Sequence, residues 1–150
     1  MIYGGTGYKV LLVLHLLSVV IAFGPWFLNG VLPSAARRLG PGEGRAVNEA
    51  NFRVSALSQY AMYAVFVFGF ATIGASKKAV TVGETWVLLS VLAWVAIVGV
   101  LHGMVLPAQR ALKDGGGDTA ALTSRQAIGA GIINVLVVVA IVLMVFEPGH

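Results

Sequence analysis

Two histidines stand inside long apolar stretches of the chain, His15 in KVLLVLHLLSVVIAFGPWF and His102 in VAIVGVLHGMVLPAQ. An ionisable side chain at membrane depth is costly and marks a functional site by default. Two imidazoles on one metal would make a bis-histidine haem, and that requires both rings at one depth. The motif Val-Leu-Pro occurs at 31–33 and again at 105–107, so Pro33 and Pro107 serve as depth markers. His15 precedes its proline by 18 residues and His102 by five. At about 1.5 Å per residue the difference is roughly 20 Å, and sliding the helices recovers about a third of it. One haem does not bridge them. A haem b on His15 alone is the alternative that this geometry leaves. Otherwise His15 is expected to hydrogen-bond Ser18 or a facing residue such as Trp94, and His102 to pair with Asn134. His150 is terminal and carries no information.

Other chemistry is thinner. No Asp or Glu lies within an apolar stretch, so the usual intramembrane acid of a proton- or cation-coupled transporter is missing. Glu43, Glu49, Asp114 and Asp118 read as solvated charges or helix caps. Gly4-Gly5-Thr6-Gly7 and GGGD at 115–118 lack the Lys-Ser/Thr of a phosphate loop. There is no cysteine, hence no disulfide framework or thiolate metal site. No Ser-His-Asp arrangement or metal-ligand spacing is visible. The expectation is a protein without catalytic residues, resident cofactor or metal, and a net charge of +4 calls for no nucleic acid.

The elements that position these residues are transmembrane helices. Hydrophobic residues make up 58% of the chain and charged ones 11%, far below the quarter usual in soluble domains. Charge-free windows recur at 10–36, 54–76, 85–109 and 126–146, each longer than the 18 or so residues that mark a spanning helix. The fold class is therefore all-α, one four-helix membrane bundle over 1–150, with spans at about 8–32, 57–75, 86–106 and 127–146. The first window is too long for a signal peptide and lacks a small-residue cleavage site.

Seven basic residues flank the two loops near Pro33 and Pro107: Arg37, Arg38, Arg45, Arg53, Arg110, Lys113 and Arg125. Lys9, Lys77 and Lys78 occupy the other side. The positive-inside rule then puts both termini outside a bacterial inner membrane, with Tyr3 and Tyr8 at the outer headgroups. Gly24-Pro25 is expected to kink the first helix. Gly40-Pro41-Gly42 reads as a turn, and 43–59 as a helical extension leading into the second span. Asp118 is the expected N-cap of the fourth helix after the turn at Gly115-Gly116-Gly117. Gly69, Gly74, Gly129 and Gly131 are candidate close-packing positions between helices.

The segments VLPSAARRL (31–39) and VLPAQRAL (105–112) echo each other, and each precedes a Gly-rich turn and a polar helix start. They suggest two helical hairpins of the same orientation, related by a pseudo-twofold axis along the membrane normal.

LHLLSVVIAFGPWF in the first span, with Leu14-His15 and Phe23-Gly24-Pro25, and the ending VVVAIVLMVFEPG resemble a family of four-helix bacterial integral membrane proteins of unknown function, frequent in actinobacteria. The resemblance covers essentially the whole chain and implies a fold and a membrane location, but no activity. A more distant likeness, carried by Leu14-His15 alone, runs to copper-resistance-D-like and oxygen-independent protoporphyrinogen-oxidase-like membrane proteins. The functional expectation is an accessory or scaffolding subunit that docks laterally, among membrane lipids, on other integral membrane subunits of a lipid transporter or respiratory assembly. A permease cavity beneath the Gly24-Pro25 kink has no specific residue in its favour.

Overall fold

The computed structural model describes residues 5–149; Tyr3 and His150 lie outside them. Four helical stretches among the described residues are long and apolar enough to cross a membrane: Thr6–Arg38, Pro41–Ala75, Thr85–Asp114 and Thr119–Phe146. The protein is a multi-pass membrane bundle of four helices.

The prolines decide how each stretch is subdivided. The first span is built of α1 (Thr6–Phe23), α2 (Trp26–Asn29) and α3 (Leu32–Arg38). Pro25 caps α2 and supplies no N–H, which explains the expected break at Gly24-Pro25. The second span is one unbroken helix, α4 (Pro41–Ala75). The expected turn at 40–42 is accordingly shorter: Pro41 and Gly42 already belong to α4, because proline is tolerated in a helix's first turn, where its missing donor has no intrahelical role. The polar extension and the span form a single rod, as the periodicity over 43–59 suggests.

The third span is α5 (Thr85–Val100), a π-helical segment (Leu101–Val105) and α6 (Leu106–Asp114). It continues past the expected end at Leu106. In a regular helix Pro107 would clash with the carbonyl four residues before it, that of Gly103. The π-helical turn accommodates the proline, and the Gly103 carbonyl accepts a hydrogen bond from Arg125 Nη2 at 2.7 Å. The same logic applies at Pro33, whose forgone acceptor is the Asn29 carbonyl; Gln126 Nε2 donates to it at 3.1 Å. The fourth span is α7 (Thr119–Phe146). Asp118 is its N-cap, accepting from the backbone N–H groups of Ala120 at 2.9 Å and Ala121 at 3.4 Å. Gly115 (φ 72°) takes the left-handed conformation that ends α6, and Gly117 (φ 76°) does so in the turn before Asp118.

α1 packs along α4, and α5 along α7, making two antiparallel hairpins. The hairpins join at the end that bears the basic loops, where α4 meets α6 and α2 meets α7. Each returning helix thus touches the proline-containing leg of the other hairpin, the reciprocal pattern a twofold along the bundle produces. The apolar core, from Ala22, Phe23 and Trp26 across Met62 and Val65 to Ile97, Leu101, Val105 and Ile133, fills this half and the middle. Elsewhere the large apolar side chains face outward on all four spans, Val20, Leu57, Leu92 and Val135 among them, as lipid solvation requires.

Candidate functional site

Toward the end that carries both termini the hairpins form a half-open cavity of about 370 Å³. Its walls come from all four spans and are almost entirely apolar and aromatic: Leu12 and Leu16 of α1, Phe66 and Phe70 of α4, Trp86 and Trp94 of α5, Ile141 and Met144 of α7. Its polar wall residues include His15, Ser90 and Glu147.

Local packing sets the imidazole. His15 is 92% buried, its ring against α4. It fits because residue 69 is glycine: a Cβ there would stand 3.1 Å from His15 Cε1 and 3.3 Å from Nδ1. Nδ1 lies 2.9 Å from the Val65 carbonyl, which only accepts, so Nδ1 carries the proton. In the neutral ring Nε2 is then left as a lone pair, and it makes no hydrogen bond to any described residue. The expected partner Ser18 turns away and donates to the Leu14 carbonyl at 2.8 Å. Trp94 is nearby as foreseen but uses its own acceptor, the Met62 carbonyl at 3.1 Å, and stacks on Phe66 with ring centroids 4.5 Å apart. Trp86 is fixed by Nε1 donating to Glu84 Oε2 at 2.7 Å.

The hydroxyls of Thr72 and Ser76 in the wall are satisfied by the Phe68, Ile73 and Val80 carbonyls. Ser90 is different: 94% buried, it contributes to the wall and its Oγ has no partner among the described residues. The cavity therefore combines an apolar interior with one imidazole lone pair and one unsatisfied hydroxyl.

His102 does not join it. Its ring is exposed, its Nδ1 donates to the Val98 carbonyl at 2.9 Å, and its Nε2 meets Gln59 Nε2 at 3.1 Å and Tyr63 Oη at 3.0 Å. The expected pairing with Asn134 is thus corrected: Asn134 Nδ2 is 3.5 Å from the Trp26 carbonyl, across the bundle interior. The two histidines share no partner. Their α4 neighbours, Val65 and Gly69 against Gln59 and Tyr63, are six residues apart, about 9 Å of helix. This is less than the sequence estimate, because the breaks after Phe23 and Asn29 make residue counts from Pro33 a poor ruler of depth.

The glycines divide as well. Gly129 is a true close approach, since a Cβ there would lie 2.6 Å from Val105 Cγ2. A Cβ at Gly74 or Gly131 would have nothing within 4 Å among the described residues. At Gly24 the neighbour is its own chain, Val20 O at 2.7 Å, so with Pro25 it serves the break rather than a helix contact.

A second polar feature escaped the sequence reading altogether. At the basic-loop end, Asn29, Ser55, Gln109 and Gln126 are at least 99% buried and link all four spans. Gln109 Nε2 donates to Ser55 Oγ at 2.9 Å and Asn29 Oδ1 at 3.3 Å, and Asn29 Nδ2 donates to Ser55 Oγ at 3.2 Å. Gln126 completes it through the Asn29 carbonyl. The signal was Pro33: the acceptor it frees calls for a donor on a neighbouring helix.

No metal-binding group of three or more His, Cys, Asp or Glu occurs among the described residues. Comparison of the chain with family models, curated proteins and solved structures yields no match.

Proposed function

We propose that this protein binds an uncharged apolar molecule drawn from the bilayer, holding it in the cavity between the two hairpins with His15 as its polar contact. The observation that supports this reading is the His15 Nε2 lone pair, unpartnered on a wall of aromatic and aliphatic side chains. The cavity lies within the range of ligand pockets, roughly 300–1,000 Å³, and has their composition, an apolar lining with few polar groups.

A haem b on His15 fits one part of the site and not another. The imidazole, its Nδ1 proton tied to a backbone carbonyl, is oriented as an axial ligand needs. The haem's two carboxylates find no basic residue in the wall, where the charged residue is Glu147. The wall suits a neutral ligand better. An accessory role beside a larger membrane complex draws only on the outward apolar side chains, and these are spread over all four spans instead of forming one face. For location we infer a bacterial inner membrane with both termini outside, on the strength of the seven basic residues in the two joined-end loops.

The test is purification from native membranes into nanodiscs, followed by native mass spectrometry and an absorbance spectrum. The proposal expects a bound apolar mass that disappears in Ser90→Phe, which fills the cavity. A Soret band lost in His15→Ala would replace it with the haem reading, and a stoichiometric membrane subunit without any bound small molecule would favour the accessory one.

A further inference from the structure

The state of the His15 ring restricts what the cavity holds. Resting on the binding role proposed above, we propose that the site selects apolar molecules bearing a hydroxyl group, the class of isoprenoid and long-chain alcohols and phenols, because His15 offers a lone pair and no proton. The direction of one hydrogen bond carries the argument. The Val65 carbonyl has no hydrogen to give, so at 2.9 Å it consumes the Nδ1–H of the neutral imidazole. Gly69 leaves the ring against α4, with Cε1 and Nδ1 tight on the glycine, so the ring cannot turn over without losing both contacts. Nε2 then accepts only. A ketone, ester or ether oxygen brought to it would set two acceptors together, whereas a hydroxyl donates.

Ser90 strengthens the selection. Its hydroxyl is 94% buried and unpartnered, although a serine inside a helix ordinarily donates to a carbonyl one turn back. A hydroxyl is both donor and acceptor, so a ligand hydroxyl can pair with either group, an imidazole lone pair or a serine O–H. Between these two groups the wall offers only contact, from Leu12, Leu16, Phe70 and Ile141; the polar atoms of Tyr8 and Glu147 also stand in the wall. One hydroxyl on an otherwise apolar body matches this inventory. Tyr8 and Glu147 in the wall place the cavity near the end of the two termini.

The experiment uses a matched pair of probes, ω-bromododecanol and its methyl ether, added to the full chain in nanodiscs. The bromine quenches tryptophan emission, and Trp86 and Trp94 line the cavity. Ser90→Phe supplies the background from probe dissolved in lipid. The expected result is half-quenching by the alcohol at a concentration about three- to tenfold lower than by the ether, the worth of one neutral hydrogen bond. In His15→Leu both probes should still quench, without preference. Equal quenching by both in the wild-type chain would overturn the hydroxyl selection while leaving the cavity reading intact. Quenching no greater than in Ser90→Phe would overturn the cavity reading itself. An alcohol preference that survives His15→Leu would move the recognition away from the imidazole and refute the inference.

Discussion

Replacing Gly129 by alanine tests the joint between the third and fourth spans most sharply. The added Cβ would sit 2.6 Å from Val105 Cγ2, with Met104 Cβ and Val100 Cγ1 at 3.6 Å. Carbon atoms pack at about 3.5–4.0 Å, so the Val105 contact is about 1 Å too short while the other two are ordinary. Val105 is fully buried, and a β-branched side chain in a helix has little rotamer freedom with which to yield. α7 must therefore draw back from the π-helical segment. Overpacking of this kind costs about 1–3 kcal/mol. The gain in helix propensity from glycine to alanine returns about 1 kcal/mol, leaving a net loss of about 0–2 kcal/mol, about 1–3 kcal/mol worse than an unhindered Gly→Ala change. Gly131→Ala is the control: with nothing within 4 Å it keeps only the propensity gain and should be neutral or stabilising. Steric-trap unfolding in detergent would measure both, with Val105→Ala closing a double-mutant cycle. The cycle should show Gly129→Ala costing less in the Val105→Ala background, where Cγ2 is gone. If Gly129→Ala proved as harmless as Gly131→Ala, the close contact between α7 and the third span would not exist.

Further outcomes follow from individual contacts. Gln126→Leu leaves the Asn29 carbonyl without its donor and should cost about 0.6 kcal/mol, the average for an interhelical hydrogen bond in a membrane, and at most about 2 kcal/mol. In that background Pro33→Ala should recover part of the loss, because residue 33 then has a backbone N–H for the same carbonyl; no recovery would refute the freed-acceptor argument. Asp118→Ala removes the α7 cap and should cost about 0.5–2 kcal/mol in the same assay, whereas Asp118→Asn should cost much less. Gly69→Ala pushes the His15 ring by a few tenths of an ångström and strains its bond to Val65, so the alcohol-over-ether preference should shrink toward unity while Gly74→Ala leaves it unchanged.

How much of this was legible beforehand depends on what each feature rests upon. The four spans follow from charge-free windows, since a helix in lipid cannot hide a charge, and Asp118 was readable because a cap is local chemistry. The close approaches were half legible. Glycine says that a neighbour can come near, but only the helix rotation decides that Gly69 and Gly129 face one while Gly74 and Gly131 face none. The polar partners were the least legible. Ser18 found an acceptor within its own helix, and His102 found Gln59 and Tyr63 on α4 before it could reach α7. Asn29, Gln109 and Gln126 stand near the ends of their apolar windows, where polar residues read as interfacial; their burial arises because α2, α4, α6 and α7 converge there. The prolines announced this in retrospect, each freeing a carbonyl that α7 supplies with a donor.

The account turns on the proton of one imidazole, and nitrogen-15 NMR of histidine-labelled protein in lipid bilayers reads it directly, with His15→Leu identifying the signal. The prediction is a neutral ring protonated at Nδ1, whose bare Nε2 resonance moves on addition of dodecanol and stays in place with dodecyl methyl ether. A ring protonated at Nε2, or an Nε2 signal indifferent to the alcohol, would contradict it.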